Sequence, residues 1–126
     1  DRWRAGNITI LHANYFDLTS GDLGAIDAVY DRASLIALPP EMRPRYAEKM
    51  RELVSVDVPV LLITLDYPCH QMSGPPFPVS RDEVEELYGD HYRIESLTSI
   101  DLLSDEPHWR EKGLEELTET IYLLGR

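Results

Sequence analysis

The sequence predicts an α/β fold with a mainly parallel sheet and an antiparallel strand near the carboxyl terminus. Short apolar segments alternate with amphipathic helical patterns, which is the order of β–α–β units. The last two predicted strands have no long helix between them, and this indicates an antiparallel pair at one edge of the sheet. The chain has 126 residues, of which 43% are hydrophobic, so we expect one domain over residues 1–126.

In the amino-terminal part, the predicted elements lead to one apolar strand that ends in an acid–base pair. Residues 1–6 look like the tail of a preceding connection, and residues 8–11 have the β-branched and aliphatic pattern of a strand. The central strand begins near Ala25 and ends at Asp31-Arg32, where open α/β sheets bind ligands. A structural ion pair at the strand end is the alternative.

The elements after Pro40 follow from periodicity and from capping residues. Ser80 and Glu83 have capping-box spacing before a helix that Gly89 ends. The predicted order after Pro40 is a helix to about residue 56, a strand over 58–65, a proline-rich loop over 69–78, a helix over 80–89, a strand over 92–100, a partly helical segment over 104–112 and a strand over 120–124.

Composition limits the classes of partner. The net charge of −11 argues against nucleic acid and against an anionic membrane surface. No apolar run approaches the roughly 20 residues that cross a bilayer, and no amino-terminal segment reads as a signal peptide. The single cysteine, Cys69, allows no internal disulfide, so a reducing, cytoplasmic setting fits. The four histidines lack metal-ligand spacing, so we expect no metal site.

Four segments, in this order, carry a family resemblance. They are Asn-Tyr-Phe-Asp-Leu at 14–18, Val-Tyr-Asp-Arg-Ala-Ser-Leu-Ile-Ala-Leu-Pro-Pro at 29–40, Leu-Leu-Ile-Thr-Leu-Asp-Tyr at 61–67 and Gly-Pro-Pro-Phe at 74–77. Together they resemble the thiopurine S-methyltransferases, which belong to the class I S-adenosylmethionine-dependent methyltransferases with a Rossmann-like sheet. The resemblance implies the carboxyl-terminal portion of such a domain, without its first two strands. It also implies S-adenosyl-L-methionine as cofactor and methyl transfer to the sulfur of small thiols.

The same resemblance assigns roles to residues near the strand ends. Asn14 would contact the adenine through its side chain and Tyr15 through its backbone. Arg32 would lie near both the cofactor and the acceptor as a catalytic residue, oriented by Asp31, because a guanidinium can hold a thiolate through several donors. The alternative for Asn14 is a turn residue without a binding role.

The Gly-Pro-Pro-Phe segment resembles the loop on the substrate side of the family. Pro75 and Pro76 would make the loop rigid, and Phe77 could pack on a flat heterocycle. A stiff loop whose Phe77 fills the core is the alternative.

Two features of a complete family member are missing from the chain. These are a glycine-rich turn after a first strand and a second strand that ends in a ribose-binding acid. We therefore expect the 126-residue chain alone to bind the cofactor weakly or not at all. We also expect unpaired edges at residues 8–11 and 28–30 to favour pairing or swapping between copies. The alternative function is a non-catalytic remnant or interaction module that retains the second half of the fold.

Overall fold

The strands of the protein form two separate sheets. The structure, a computed structural model, describes residues 1–104 and 106–126. The strands are β1 (Arg2–Ala5), β2 (Ile8–Leu11), β3 (Val29–Asp31), β4 (Val60–Asp66), β5 (Arg93–Asp101) and β6 (Thr118–Gly125). The helices are α1 (Ser20–Leu23), α2 (Arg43–Leu53), α3 (Arg81–Tyr88), α4 (Leu102–Asp105) and α5 (His108–Glu111). Short 3₁₀ turns follow β2 and β3.

The main sheet has the order β3-β4-β6-β5 and is mixed. Strands β3 and β4 are parallel and are connected through α2, whereas β6 runs antiparallel to both β4 and β5. The antiparallel pair predicted at one edge is confirmed, with β5 as the outer strand. The prediction of a mainly parallel sheet is wrong for this chain. Strand β6 lies between β4 and β5 and runs antiparallel to both, so only the pairing of β3 with β4 is parallel.

The amino-terminal strands form an antiparallel hairpin of their own. Trp3 pairs opposite Ile10, and Gly6 turns the chain between the strands at φ +59°. The prediction that residues 1–6 are a connection is therefore wrong, and β2 does not join the main sheet. A two-residue turn lets the two strands satisfy each other's backbone groups locally, without a neighbour from the main sheet.

The two longer helices cover one face of the main sheet and follow the predicted patterns. Ser80 Oγ accepts from the Glu83 N–H at 3.1 Å, so α3 has the predicted amino-terminal cap. The Glu83 carboxylate binds the buried guanidinium of Arg43, with both oxygens 2.7 Å from Nη1. This ion pair fastens α3 to the start of α2. Helix α2 ends at Leu53, slightly before the predicted position, because Val54 is already extended.

Two hydrophobic clusters stabilise the fold. The larger one lies between the helices and the main sheet and includes Leu62 and Val84, both fully buried. The smaller one includes Leu65, Leu103 and Leu117, and it holds the segment between β5 and β6 against the carboxyl end of β4. Burial of this second cluster places residues 102–114 next to the loop that follows β3. No helix in residues 1–104 and 106–126 is long and apolar enough to cross a membrane.

Candidate active site

Arg32 lies in a cavity at the carboxyl ends of β3 and β4. The cavity has a volume of about 330 Å³ and is lined by residues from five parts of the chain. These residues are Arg32, Ala33, Ile36, Ile63, Leu65, Pro76, Leu102, Glu106, Trp109 and Glu119. The position agrees with the expectation that the Asp31-Arg32 strand end borders a binding site. Ala33 adopts a positive φ of +62°, which turns the chain sharply after Arg32.

Asp31 and Arg32 lie on opposite sides of the strand end. Consecutive residues of a strand point to opposite faces, so the exposed Arg32 borders the cavity while Asp31 is buried, with 4% of its surface exposed. The Asp31 carboxylate accepts a hydrogen bond from the Tyr46 hydroxyl at 2.9 Å. Burial raises the pKa of Asp31 above its ordinary value, and the Tyr46 hydrogen bond opposes that rise. Asp31 therefore contacts Tyr46, and the predicted contact in which it orients Arg32 is not formed.

Tyr15 belongs to the layer of tyrosines behind Asp31. Its hydroxyl donates to the Tyr46 carbonyl at 3.0 Å, and the two rings stack with centroids 4.6 Å apart. Burial raises the pKa of both phenols above the ordinary value, so both remain neutral donors. Tyr15 thus packs against α2 and does not border the Arg32 cavity.

Asn14 caps a turn in this structure. Its Oδ1 accepts from the Phe16 N–H at 3.0 Å, at the start of the 3₁₀ turn Tyr15–Asp17. It also lines a separate cavity of about 270 Å³ between the hairpin and α1. The turn-residue alternative thus describes its observed contact, and the structure does not bring Asn14 to Arg32.

The proline-rich loop reaches the cavity through one residue. Pro76 lines the cavity, and its carbonyl accepts from the Tyr67 hydroxyl at 2.6 Å. The Phe77 N–H donates to the Ile36 carbonyl at 2.7 Å, which fixes the loop to the chain after β3. The Phe77 ring covers Gly74 so closely that a Cβ there would lie 2.6 Å from it. Pro75 is exposed and, like Phe77, is absent from the cavity lining.

Three further side chains, which no sequence pattern singled out, face the cavity: those of Glu106, Trp109 and Glu119. Trp109 donates from Nε1 to Glu106 Oε2 at 3.0 Å, and Lys112 Nζ lies 5.3 Å from the centre of its indole ring. Glu119 contributes a carboxylate from the start of β6. The sequence did contain one signal for this side of the cavity, the tryptophan in the polar segment 104–112. A large apolar side chain is unexpected in a polar segment at the surface.

The cavity combines a guanidinium, two carboxylates, an indole ring and aliphatic walls. This set suits a small flat molecule with an anionic atom, because the guanidinium provides charge-assisted donors and the indole provides a flat surface. In the part of the chain that the structure describes, no three His, Cys, Asp or Glu side chains are grouped as a metal site would require.

The residues of this chain do not by themselves form the cofactor site that the resemblance implies. Asn14 and Arg32 line different cavities, and the Asn14 amide oxygen is already used by the backbone of Phe16. The predicted Tyr15 contact uses its backbone, whose carbonyl accepts from the Leu18 N–H at 3.2 Å, while the side chain is engaged with Tyr46.

Comparisons with known proteins agree with the resemblance along the whole chain. The family model described as thiopurine S-methyltransferase matches residues 1–126. Three similar curated proteins are the thiopurine S-methyltransferases of Methylococcus capsulatus (50% identical), Nitrosospira multiformis (46%) and Pseudomonas paraeruginosa (46%). The matches cover 98%, 98% and 99% of this chain but 55%, 56% and 57% of those relatives, so the chain spans about half their length. The chain belongs to the thiopurine S-methyltransferase family.

Proposed function

We propose that the protein carrying this chain transfers a methyl group from S-adenosylmethionine to the sulfur of small thiols. One observation carries the proposal: in a chain of this methyltransferase family, Arg32 lines a cavity of about 330 Å³ at the carboxyl ends of two parallel strands. The cavity volume suits a one- or two-ring acceptor. The indole of Trp109 offers such a molecule a flat contact surface.

In this proposal Arg32 holds the acceptor as its thiolate. A guanidinium close to sulfur favours the charged form and fixes its direction, which is what a direct displacement needs. Aromatic thiols are acidic enough that no general base is required. The buried Asp31 acts indirectly, by fixing the strand end through Tyr46.

Steady-state rates on an aromatic thiol test the role of Arg32. We expect Arg32→Ala to lower kcat/KM by roughly 100-fold, since a charge-assisted contact to the reacting atom is lost. Arg32→Lys should not restore the rate, because a point charge lacks the planar arrangement of donors. Arg45→Ala, which removes an exposed arginine of α2, is the control. Activity near that of the wild type in both Arg32 variants would remove Arg32 from the site.

The 126-residue chain by itself provides a second test. It should bind S-adenosylmethionine weakly or not at all, because Asn14, Tyr15 and Arg32 do not lie in one cavity. Titration calorimetry on the purified chain measures this directly. Micromolar binding by a monomer would show that the chain holds a complete cofactor site.

A non-catalytic interaction module is the second candidate function. The hairpin favours it, because Trp3, Ile8 and Ile10 are all more than half exposed on one face. The reading frame upstream of Asp1 separates the two candidates. A strand followed by a glycine-rich turn there supports the enzyme, and a translation start near Asp1 supports the module.

A further inference from the structure

Glu119 is the cavity residue whose placement the proposed function does not explain. It is the second residue of β6, opposite Leu65 of β4 and Ile100 of β5, so its nearest strand neighbours on both sides are aliphatic. It is half-buried and lines the cavity together with Arg32. A carboxylate in this position can accept hydrogen bonds from a molecule in the cavity.

The cavity contains two carboxylates, of which one is already engaged. Glu106 accepts the indole N–H of Trp109 at 3.0 Å. Glu119 makes no ion pair with any cation in residues 1–104 and 106–126, and Arg32 makes none either. The cavity therefore offers the acceptor one free guanidinium and one free carboxylate.

We propose that Glu119 is a specificity-determining residue that accepts a hydrogen bond from an N–H group of the acceptor ring. This inference rests on the proposed function, in which Arg32 holds the sulfur of the same molecule. Trp109 provides the surface on which the ring stacks, and Glu106 is a positioning residue that fixes the indole.

Binding to the full-length protein without cofactor tests this inference. The probes are 6-mercaptopurine, which has ring N–H donors, and thiophenol, which has an aromatic ring without any N–H group. Titration calorimetry should show that the wild type prefers 6-mercaptopurine and that Glu119→Gln reduces this preference by roughly tenfold or more. Glu116→Gln, which changes a nearby exposed carboxylate, should leave the preference unchanged.

The same titration on tryptophan variants tests the stacking surface. Trp109→Phe should keep most of the affinity for both probes, and Trp109→Leu should weaken both, because the flat surface is lost. Trp3→Leu, on the hairpin, should change neither. Circular dichroism of each variant confirms that the fold is intact, and the Phe variant keeps the test valid if the Leu variant unfolds.

The inference fails if Glu119→Gln leaves the ratio of the two affinities unchanged, or if it alters only the KM for S-adenosylmethionine. The second result would mean that the carboxylate faces the cofactor. Methylation assays separate this failure from failure of the proposed function. If the wild type methylates neither thiol but Glu119→Gln still reduces the binding preference, the proposed reaction is refuted and the role of Glu119 is supported.

Discussion

The hairpin and the main sheet are built from similar residues but differ sharply in burial. In β4 every residue is buried or half-buried, and Leu62 is fully buried. In β1 and β2 every residue is exposed except Leu11, although Trp3, Ile8 and Ile10 are as apolar as the residues of β4. The apolar strand pattern therefore specifies that two strands pair, whereas the burial of their side chains depends on which other elements cover the paired strands.

Strand β3, at the edge of the main sheet, is intermediate between the two regions in pairing and in exposure. Its partner β4 lies on one side, and on the other side no described strand pairs with it. Tyr30, in the middle of β3, is 64% exposed. Next to it is an apolar groove of about 350 Å³ lined by residues that include Leu23, Ile26 and Leu53. We therefore propose that, in the 126-residue chain, this edge and the hairpin pair with a second copy of the chain.

The largest expected effect comes from removing the same kind of side chain in both regions. Leu62→Ala should lower the free energy of unfolding by about 3 kcal/mol, because it leaves a cavity among fully buried neighbours. Ile10→Ala should change it by less than about 0.5 kcal/mol, because Ile10 is 58% exposed. Denaturant titration measures both. Equal losses would show that the hairpin face is covered in solution.

The next effect concerns two glutamates of α3. Glu83→Ala should cost about 2 kcal/mol, since it leaves the fully buried guanidinium of Arg43 without its carboxylate. Glu85→Ala removes an exposed pair with Arg81 and should cost less than about 0.5 kcal/mol. Thermal unfolding of the two variants compares them directly. A small loss for Glu83→Ala would mean that solvent reaches Arg43.

A smaller effect should appear in the pH dependence of stability. The pKa of Asp31 is raised by burial, so the folded protein holds that proton more tightly than the unfolded chain does. Its contribution to stability is therefore largest below the ordinary pKa of an aspartate and is lost as the pH rises through the raised pKa. Asp31→Asn should flatten this decline, and Asp90→Asn, at an exposed turn, should not. Identical pH profiles for Asp31→Asn and the wild type would contradict the assignment.

The smallest effect on stability and the clearest effect on association should come from the hairpin face. Trp3→Ser combined with Ile10→Ser should leave the unfolding free energy within about 0.5 kcal/mol, because both side chains are exposed. Light scattering on the 126-residue chain should show less association than in the wild type. A wild-type chain that is already a monomer would remove the argument for pairing between copies.

Local signals predicted much of the carboxyl-terminal fold. The cap at Ser80 and the stop at Gly89 defined α3, and the apolar run after Val58 defined β4. Arg32 was predicted at a ligand position because the end of a strand in an open sheet is a recurrent one, and Arg32 lines a cavity there; its role in binding stays a prediction. These predictions depend on neighbours in sequence, which is why they could be made from the chain alone.

The remaining features depend on residues that are distant in sequence. The order of β6 between β4 and β5 decides that Glu119 shares a cavity with Arg32, although 87 positions in the numbering separate them. The second hydrophobic cluster decides that Trp109 faces the same cavity. The packing of α2 against the main sheet brings the Tyr46 hydroxyl to the carboxylate of Asp31. The family, the main helices and the strand end at Arg32 could be predicted from the sequence, because each depends on short runs of neighbouring residues. The partners of that strand end were decided only by tertiary packing, because sheet order and core burial bring together side chains that no local pattern connects.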